Sequence, residues 1–219
     1  AALRGALEGA AAVLSPSRFL AQRFAELGLQ RPIQVLGNGV PAAPPLALPP
    51  GPLRIGWFGS DVPSKGLDVL LAAVSGRSGV TLALHGNVDR SALPPGVAVC
   101  GPYAPSDVHD RMGSVHIVCV PSTWEENQPM VVLEARRAGR PVLASRIGGL
   151  VEMVDHDVDG WLVAPGDAAE LGRLLAELAQ DPARVQRAAA AVRPPCSADA
   201  MAAAHLVVYR SCTGDVVPV

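Results

Sequence analysis

Three carboxylates within one short segment are the side chains best placed to do chemistry. The segment PSTWEENQPMVVLEARRAG, residues 121–139, carries Glu125 and Glu126 side by side and then Glu134 inside a mostly apolar run that predicts a helix. Seven residues separate Glu126 from Glu134, and a helix rising 1.5 Å per residue would set them on the order of 12 Å apart along its axis. Carboxylates so spaced can accept hydrogen bonds from ligand hydroxyl groups or stabilise a developing positive charge.

The same acids also have a purely structural explanation. Acidic side chains near a helix N-terminus are stabilised by the helix dipole, which accounts for Glu125 and Glu126 without any ligand. Glu134 could lie on the solvent face of its helix and pair with Arg137, three positions later. Residue types alone therefore leave both interpretations open.

The helix itself is predicted to start near Gln128. Asn127 or Gln128 can cap it, and Pro129 suits its first turn because the N–H that proline lacks would be unsatisfied there anyway. The two adjacent acids would then immediately precede the first turn.

A second candidate segment, GSDVPSKG, follows the first predicted strand of the α/β pattern. Gly59 is expected to allow a tight turn, and Lys65 to open the next helix, where free N–H groups and the dipole favour anions. The segment is neither a Walker A loop, because Ser64 precedes the lysine and no Ser or Thr follows it, nor a G-x-G-x-x-G fingerprint. The alternative is a solvated lysine at a helix start.

The remaining motifs do not match known metal-binding or hydrolase sites. DHDVDG, residues 155–160, matches the first half of a calcium loop, but the position that should hold glutamate is Gly166, so we interpret it as a surface turn without calcium. The five histidines form no HExxH or comparable ligand set, and no GxSxG elbow is present. We therefore expect no metal site and no hydrolase triad.

Apolar strand-like runs alternate with helical patterns from Leu53 onward. In order they read LRIGWFG, KGLDVLLAAVSG, VTLALHG, VAVCG, SDVHDRMGSV, HIVCVPS, MVVLEARRAG, PVLAS, GLVEMV, GWLVAP and DAAELGRLLAELAQ. The last is amphipathic, with a stripe formed by Leu171, Leu174, Leu175 and Leu178. Such alternation predicts an α/β fold with a doubly wound, Rossmann-like parallel sheet, which binds ligands beyond the carboxyl ends of its strands.

Composition excludes several classes of protein. Of the 219 residues, 49% are hydrophobic and 17% are charged, which argues for a large core and against disorder. The net charge of -2 disfavours a nucleic acid partner. The four cysteines form no CxxC pair, and no run approaches the ~20 apolar residues of a membrane span. We therefore expect a reduced, cytoplasmic protein.

Proline and glycine mark the boundaries between parts of the chain. Residues 41–52 read as a linker. Residues 1–40 read as the last strand–helix unit of another domain, with Ser17 as N-cap, residues 53–196 as the α/β domain, and residues 197–219 as a final helix and tail. One strand–helix unit cannot bury a core of its own, and the first residue is not methionine, so we expect a piece of a longer protein.

Taken in order, these motifs resemble the retaining glycosyltransferases of family 4, which have the GT-B fold. The resemblance covers nearly the whole chain, with NGV at 38–40, GSDVPSKGLDVLLAAV as the phosphate loop and DGWLVAPGDAAELGRLL as the last strand and helix. Its most specific part, residues 121–154, contains Glu-x7-Glu, Gly-x-Pro-Val and Gly-Gly-x-x-Glu. It implies that residues 53–196 are the donor-binding second domain and residues 1–40 a remnant of the first.

The resemblance also implies roles for individual residues. The Glu-x7-Glu spacing selects Glu126, the catalytic candidate at the donor sugar, and Glu134, an acceptor for the ribose hydroxyls. Lys65 would neutralise leaving-group charge, the helix N-terminus would receive the diphosphate, and the base would meet the loop after VAVCG. The implied donor-binding residues are Gly59, Ser60, Lys65, Pro102, Glu126, Asn127, Gln128, Pro129, Met130, Val131 and Glu134.

One position departs from the family pattern. Arginine usually follows the first glycine of the phosphate loop, whereas this chain has Ser60. Unlike a guanidinium group, a serine hydroxyl carries no charge and cannot donate two parallel hydrogen bonds to a phosphate, so we expect weaker binding of the diphosphate.

The implied function is transfer of a hexose from a nucleoside-diphosphate sugar, with UDP or GDP favoured, to an unidentified acceptor and without a cofactor. Implied partners are the missing N-terminal GT-B domain and, for the complete enzyme, a membrane surface that it contacts peripherally. Two alternatives are a non-catalytic nucleotide-sugar-binding module, favoured by Ser60, and a nucleotide-sugar epimerase. Turnover by the full-length protein would separate the transferase from the binding module, and release of a free epimerised sugar would identify the epimerase.

Overall fold

A computed structural model describes residues 2–90 and 92–214, so the ends of the predicted regions 1–40 and 197–219 lie outside the described residues. The N-terminal unit consists of α1 (Ala2–Gly9), β1 (Val13–Ser15), α2 (Arg18–Glu26) and β2 (Ile33–Val35), with β1 parallel to β2. Ser17 caps α2 as predicted, accepting a hydrogen bond from the N–H of Leu20 at 3.1 Å. Periodicity does not predict β2, because three residues are too few to show alternation.

The larger domain is built on one sheet. Its strands are β3 (Leu53–Ser60), β4 (Val80–Asn87), β5 (Val97–Gly101), β6 (Ile117–Val120), β7 (Val142–Ser145) and β8 (Gly160–Val163). All are parallel and lie in the order β5-β4-β3-β6-β7-β8. The central strands are buried on both faces, whereas the edge strand β5 is mostly exposed. The predicted parallel α/β sheet is confirmed.

Helices cover both faces of this sheet, as a doubly wound fold requires. They are α3 (Leu67–Val74), α4 (Val108–Gly113), α5 (Met130–Arg137), α6 (Ala168–Gln180), α7 (Pro182–Ala191) and α8 (Ala198–Thr213). One core cluster joins the sheet to α3, α6 and α7, and a second joins its other face to α4 and α5. The predicted leucine stripe of α6 faces the first cluster. Among the described residues, no helix is long and apolar enough to cross a lipid bilayer.

The order of the strands reverses direction between β3 and β6. From β3 the chain moves outward through β4 to β5, and it then returns to β6 and continues through β7 to β8. The carboxyl ends of β3 and β6 therefore border the crevice at the topological switch point, where sheets of this kind bind ligands. The loops 61–66 and 121–129 leave these two strand ends.

The proline-rich linker follows a defined path along the α/β domain. Nη2 of Arg140 donates to the carbonyl groups of Leu46 and Ala47 at 2.9 and 2.7 Å. Arg140 is fully buried, and burial lowers its pKa to about 10. At the start of the linker, Val40 forms a parallel bridge with Ser197, immediately before α8. The linker is therefore fastened at its start and near its middle.

Candidate functional site

The two loops at the switch point are fastened to each other through their backbones. The N–H of Thr123 donates to the carbonyl of Ser64 at 2.9 Å. Gly66 has a φ of 65°, and a Cβ added to it would lie 1.9 Å from the carbonyl oxygen of Pro121. Only glycine combines this backbone conformation with this close approach. Gly66 therefore sets the distance between the loops.

The turn after β3 differs from the predicted one. The ladder with β4 continues through Ser60, so Gly59 is an extended residue inside β3 and is not the turn glycine. A 3-10 turn, Pro63–Lys65, follows, and Gly66 separates it from α3. Lys65 therefore ends the 3-10 turn and does not open α3.

The two charged residues predicted at the donor pair with each other. Nζ of Lys65 lies 2.7 Å from Oε1 of Glu126, which also accepts a hydrogen bond from Oγ of Ser122 at 3.0 Å. The Glu126 side chain is 16% exposed and the Lys65 side chain 40% exposed, so both remain accessible to a ligand. The carboxylate of Glu126 therefore supplies Lys65 with a negatively charged partner from within the protein.

The neighbouring acid, Glu125, has a different partner. Nη2 of Arg23 in α2 donates to both carboxylate oxygens of Glu125, at 2.7 and 2.9 Å. The two adjacent acids therefore face different elements, Glu125 toward the N-terminal unit and Glu126 toward the loop after β3. This separation agrees with the spacing argument, which set Glu125 apart from the site.

Helix α5 begins two residues later than predicted. Pro129 is its N-cap and makes no side-chain cap bond, so neither Asn127 nor Gln128 caps the helix. Oε1 of Gln128 instead accepts a hydrogen bond from the N–H of Asn38 at 2.6 Å, because the segment that precedes the linker passes beside this loop. The first N–H groups of α5, from Met130 onward, thus have no side-chain cap among the described residues and can serve an anion.

Glu134 is half-buried on α5. Burial raises the pKa of its carboxyl group, while the positive charge of Arg137 lowers it to a lesser extent. The guanidinium of Arg137 donates to the carbonyl of Pro41 at 3.4 Å and, within the described ranges, forms no ion pair with Glu134. The structural alternative of a solvent-exposed Glu134–Arg137 pair is therefore not what the fold contains.

An aromatic cluster beside the loop after β5 was not singled out by sequence reasoning. Tyr103 packs edge-on against Phe58 with ring centroids 5.8 Å apart. Arg111 lies 5.7 Å from the centre of the Tyr103 ring and donates to the carbonyl of Pro102 at 3.2 Å. Burial and then the charge of Glu134 raise the pKa of Tyr103. An available signal was a tyrosine directly after Pro102 in a chain with two tyrosines.

His85 is a buried member of the same cluster. Its ring stacks on Phe58 with centroids 4.4 Å apart and an interplanar angle of 5°, and Nη1 of Arg111 lies 3.4 Å from its Nδ1. Burial, and secondly the positive charge of Arg111, lower the pKa of His85 to about 4. The imidazole is therefore neutral at pH 7.

The DHDVDG turn has all three carboxylates engaged by arginines. The ion pairs are Asp155–Arg193 at 3.1 Å, Asp159–Arg136 at 2.6 Å, and Asp157–Arg184. No group of three or more His, Cys, Asp or Glu side chains suited to a metal ion occurs in residues 2–90 and 92–214. That this turn binds no calcium remains a prediction.

Comparison with protein families gives a match over most of the α/β domain. A family model described as glycosyl transferases group 1 matches residues 52–181. The D-inositol 3-phosphate glycosyltransferase of Streptomyces scabiei is 32% identical over 154 residues, which cover 67% of this chain and 34% of the relative. That of Mycobacterium marinum is 30% identical over 199 residues, covering 82% and 42%. The chain thus spans less than half the length of these relatives.

Solved structures share the fold. Sucrose-phosphate synthase from Thermosynechococcus elongatus matches with a TM-score of 0.85 at 22% identity, covering 98% of this chain and 61% of that one. Anabaena Alr3699/HepE, solved with UDP and glucose, matches with a TM-score of 0.83 at 22% identity, covering 94% and 64%. The domain is the Rossmann-like domain of a GT-B fold. Because the family model matches more than half of its residues, this chain belongs to the group 1 glycosyl transferases.

Proposed function

We propose that this chain is the donor-binding part of a retaining glycosyltransferase of family 4, which moves a hexose from a nucleoside-diphosphate sugar to an acceptor held mainly by the rest of the protein. The observation that carries the proposal is the crevice between β3 and β6, where the Lys65–Glu126 pair adjoins the uncapped start of α5. The glycosyltransferase names of the relatives and the UDP-glucose complex of Alr3699/HepE support it.

The diphosphate would lie between Lys65 and the start of α5. Lys65 contributes a mobile positive charge, and the first N–H groups of α5 contribute hydrogen bonds and the helix dipole. Ser60, at the end of β3, can add one hydrogen bond but no charge. Together these groups would neutralise the diphosphate as it leaves, which is why we propose a reaction without a bound metal.

The nucleoside would lie on the other side of the diphosphate, toward β5. Glu134 has a half-buried carboxylate whose pKa is set by burial and by Arg137, without a contribution from a hydrogen bond. Such a carboxylate suits the two hydroxyls of a ribose, as acids do in dinucleotide-binding folds. The loop at Pro102 and the ring of Tyr103 would then meet the base, with UDP or GDP as the favoured nucleotides.

Glu126 would act at the sugar. Its partly exposed carboxylate can accept hydrogen bonds from sugar hydroxyls and stabilise the positive charge that develops as the bond from the anomeric carbon to the diphosphate breaks. The proton of the attacking acceptor hydroxyl would leave with the diphosphate. Efficient transfer also requires an acceptor held close and water excluded, which the remainder of the protein would provide. From this chain alone we expect nucleotide binding and at most slow hydrolysis of the donor.

Calorimetric titration of this chain with UDP, GDP, ADP and TDP tests the proposal directly. We expect binding of at least one nucleotide, and Glu134→Ala should weaken the matching nucleoside monophosphate and diphosphate alike, because both contain the ribose. The matched control is Glu177→Ala, which removes an exposed acid from α6. If none of the four nucleotides binds, or if the two variants behave alike, the proposal is wrong.

The non-catalytic alternative has one observation in its favour, the uncharged Ser60 in the phosphate loop. Turnover by the full-length protein with a nucleotide sugar decides between the two. Binding without any transfer or hydrolysis by the full-length protein would favour the module, and release of an epimerised free sugar would favour the epimerase.

A further inference from the structure

Helix α2 contacts the sugar end of the candidate site by two separate routes. In the first, the carboxylate of Glu152 accepts hydrogen bonds from the N–H groups of Arg18, at 3.0 Å, and of Phe19. Glu152 ends the 3-10 turn Gly148–Glu152, and the N–H of Gly149 in this turn donates to the carbonyl of Glu126 at 2.6 Å. One short turn therefore holds both the start of α2 and the backbone of the catalytic candidate.

The approach of this turn to the catalytic loop is close enough to fix it. A Cβ added to Gly149 would lie 1.7 Å from the carbonyl oxygen of Asn127, so the two backbones are in direct contact. A shift of the turn must therefore displace the backbone on either side of Glu126, because packed backbones of this kind do not slide past each other freely.

The second route is the ion pair between Arg23, near the C-terminal end of α2, and Glu125. Because Glu125 precedes Glu126 directly, the two routes close a ring of contacts that runs from α2 through the loop to the 3-10 turn and back to α2. The backbone of Glu126 is a member of this ring.

Each of the two adjacent carboxylates has its own cationic partner. Arg23 pairs with Glu125 and Lys65 pairs with Glu126, and Arg23 also pairs with Glu26 in its own helix at 3.3 Å. If Arg23 were absent, Glu125 would lose this partner, and the repulsion between the neighbouring carboxylates would act more strongly on the loop. The Arg23–Glu125 ion pair holds one of these two acids toward the N-terminal unit.

We propose that Arg23 is a positioning residue for Glu126: it holds Glu125 toward α2 and so keeps Glu126 directed at the donor sugar. This inference rests on the proposed function. It assigns to residues 18–26 a role at the sugar end of the site and none at the nucleotide end, since α2 reaches the loop at Glu125 and the 3-10 turn, away from Glu134. Movement of the N-terminal unit would accordingly change sugar binding and leave nucleotide binding in place.

The test compares UDP with UDP-glucose, or GDP with its hexose ester if GDP is the nucleotide that binds. Dissociation constants are measured by calorimetry for the parent chain, Arg23→Ala, and the exchange variant carrying both Arg23→Glu and Glu125→Arg. The control is Arg31→Ala, which removes an arginine of the same N-terminal unit that donates to the carbonyl of Ala11 at 2.6 Å. Melting temperatures are recorded to separate loss of folding from loss of positioning.

We expect Arg23→Ala to leave the affinity for the bare nucleotide unchanged and to weaken binding of the sugar ester by about three- to tenfold, which lies within the range of coupling between contacting residues. The exchange variant should recover most of that loss, and Arg31→Ala should lose none. Three results would each overturn the inference. In Arg23→Ala, the affinities for nucleotide and ester could fall equally, or the ester affinity could stay unchanged. The exchange variant could fold and yet recover none of the lost ester affinity.

Failure of the inference can be told apart from failure of the proposed function. A parent chain that binds no nucleotide contradicts the proposed function itself. A parent that binds nucleotide, and whose affinity for the sugar ester falls in Glu126→Gln but not in Arg23→Ala, contradicts only the inference, because Glu126 would then contact the sugar without depending on Arg23.

Discussion

The ammonium group of Lys65 lies 2.7 Å from the Glu126 carboxylate, and this ion pair joins the loop after β3 to the loop after β6. In the proposed site the same ammonium also serves the diphosphate. The carboxylate and the ligand are therefore competitors for one cation, and donor binding should loosen Glu126 from Lys65 at the moment when its oxygens are needed by the sugar hydroxyls.

Lys65→Ala should therefore weaken binding of the nucleoside diphosphate, whereas Glu126→Gln should not. Loss of the ammonium should cost ~1.5–3 kcal/mol of diphosphate affinity, the range for hydrogen bonds to charged groups. Loss of the competing carboxylate should leave the affinity for the diphosphate equal or higher, while abolishing transfer in the complete enzyme. Calorimetry with the nucleoside diphosphate checks the first part, and an unchanged affinity in Lys65→Ala would contradict it.

Gly66→Ala should destabilise the domain far more than the same change at another glycine of similar conformation. Gly66 and Gly166 have φ values of 65° and 78°, but an added Cβ meets the Pro121 carbonyl oxygen at 1.9 Å in the first case and nothing within 4 Å in the second. The control Gly166→Ala should lose about 1–2 kcal/mol from the left-handed backbone alone. Gly66→Ala should lose at least about 3 kcal/mol in urea unfolding, and equal losses would show that the loops are not in tight contact.

Calcium should not bind the DHDVDG turn. Each of its carboxylates is paired with an arginine, and the residue at the last loop position is Gly166, which cannot supply the bidentate ligand. The melting temperature should be the same with calcium and with a chelator. A calcium-dependent rise that disappears in Asp157→Ala would show that the ion displaces the arginines.

The buried imidazole of His85 should make the protein less stable in mild acid. In the folded chain its pKa is about 4, against an ordinary value of 6.5, so below pH 6.5 the unfolded chain binds a proton that the folded chain does not. The free energy of unfolding should therefore fall as the pH falls from 6.5 toward 4, with His85 contributing about 3 kcal/mol of this fall.

His85→Phe isolates this contribution, because it keeps an aromatic ring for the stack on Phe58 and removes the titrating group. His116, whose pKa is also lowered by burial, acts in the same direction and is common to both proteins. Below pH 6.5, the unfolding free energy of the parent should fall relative to that of the variant, with both measured by urea titration at several pH values. A constant difference would mean that the imidazole is not buried as described.

Local patterns in the sequence were sufficient to predict most of the helices and strands and the class of the fold. Apolar runs, the leucine stripe of α6 and the Ser17 cap depend on residues close together in the chain, so they predict strands, helices and their alternation directly. The tight turn predicted at Gly59 is wrong, because the length of β3 depends on its pairing with β4 and not on β3 alone.

Only the tertiary structure decided how the acids are used. The spacing of Glu126 and Glu134 selected two residues, but Lys65 is 61 positions from Glu126 and Arg23 is 102 positions from Glu125. Such pairs arise because the order of the strands brings two loops together at the switch point and because α2 is bonded to the neighbouring 3-10 turn through Glu152. Glu134 shows the same division. The sequence gives its residue type and position, whereas its burial, which raises the pKa of its carboxyl group, arises only in the packed domain.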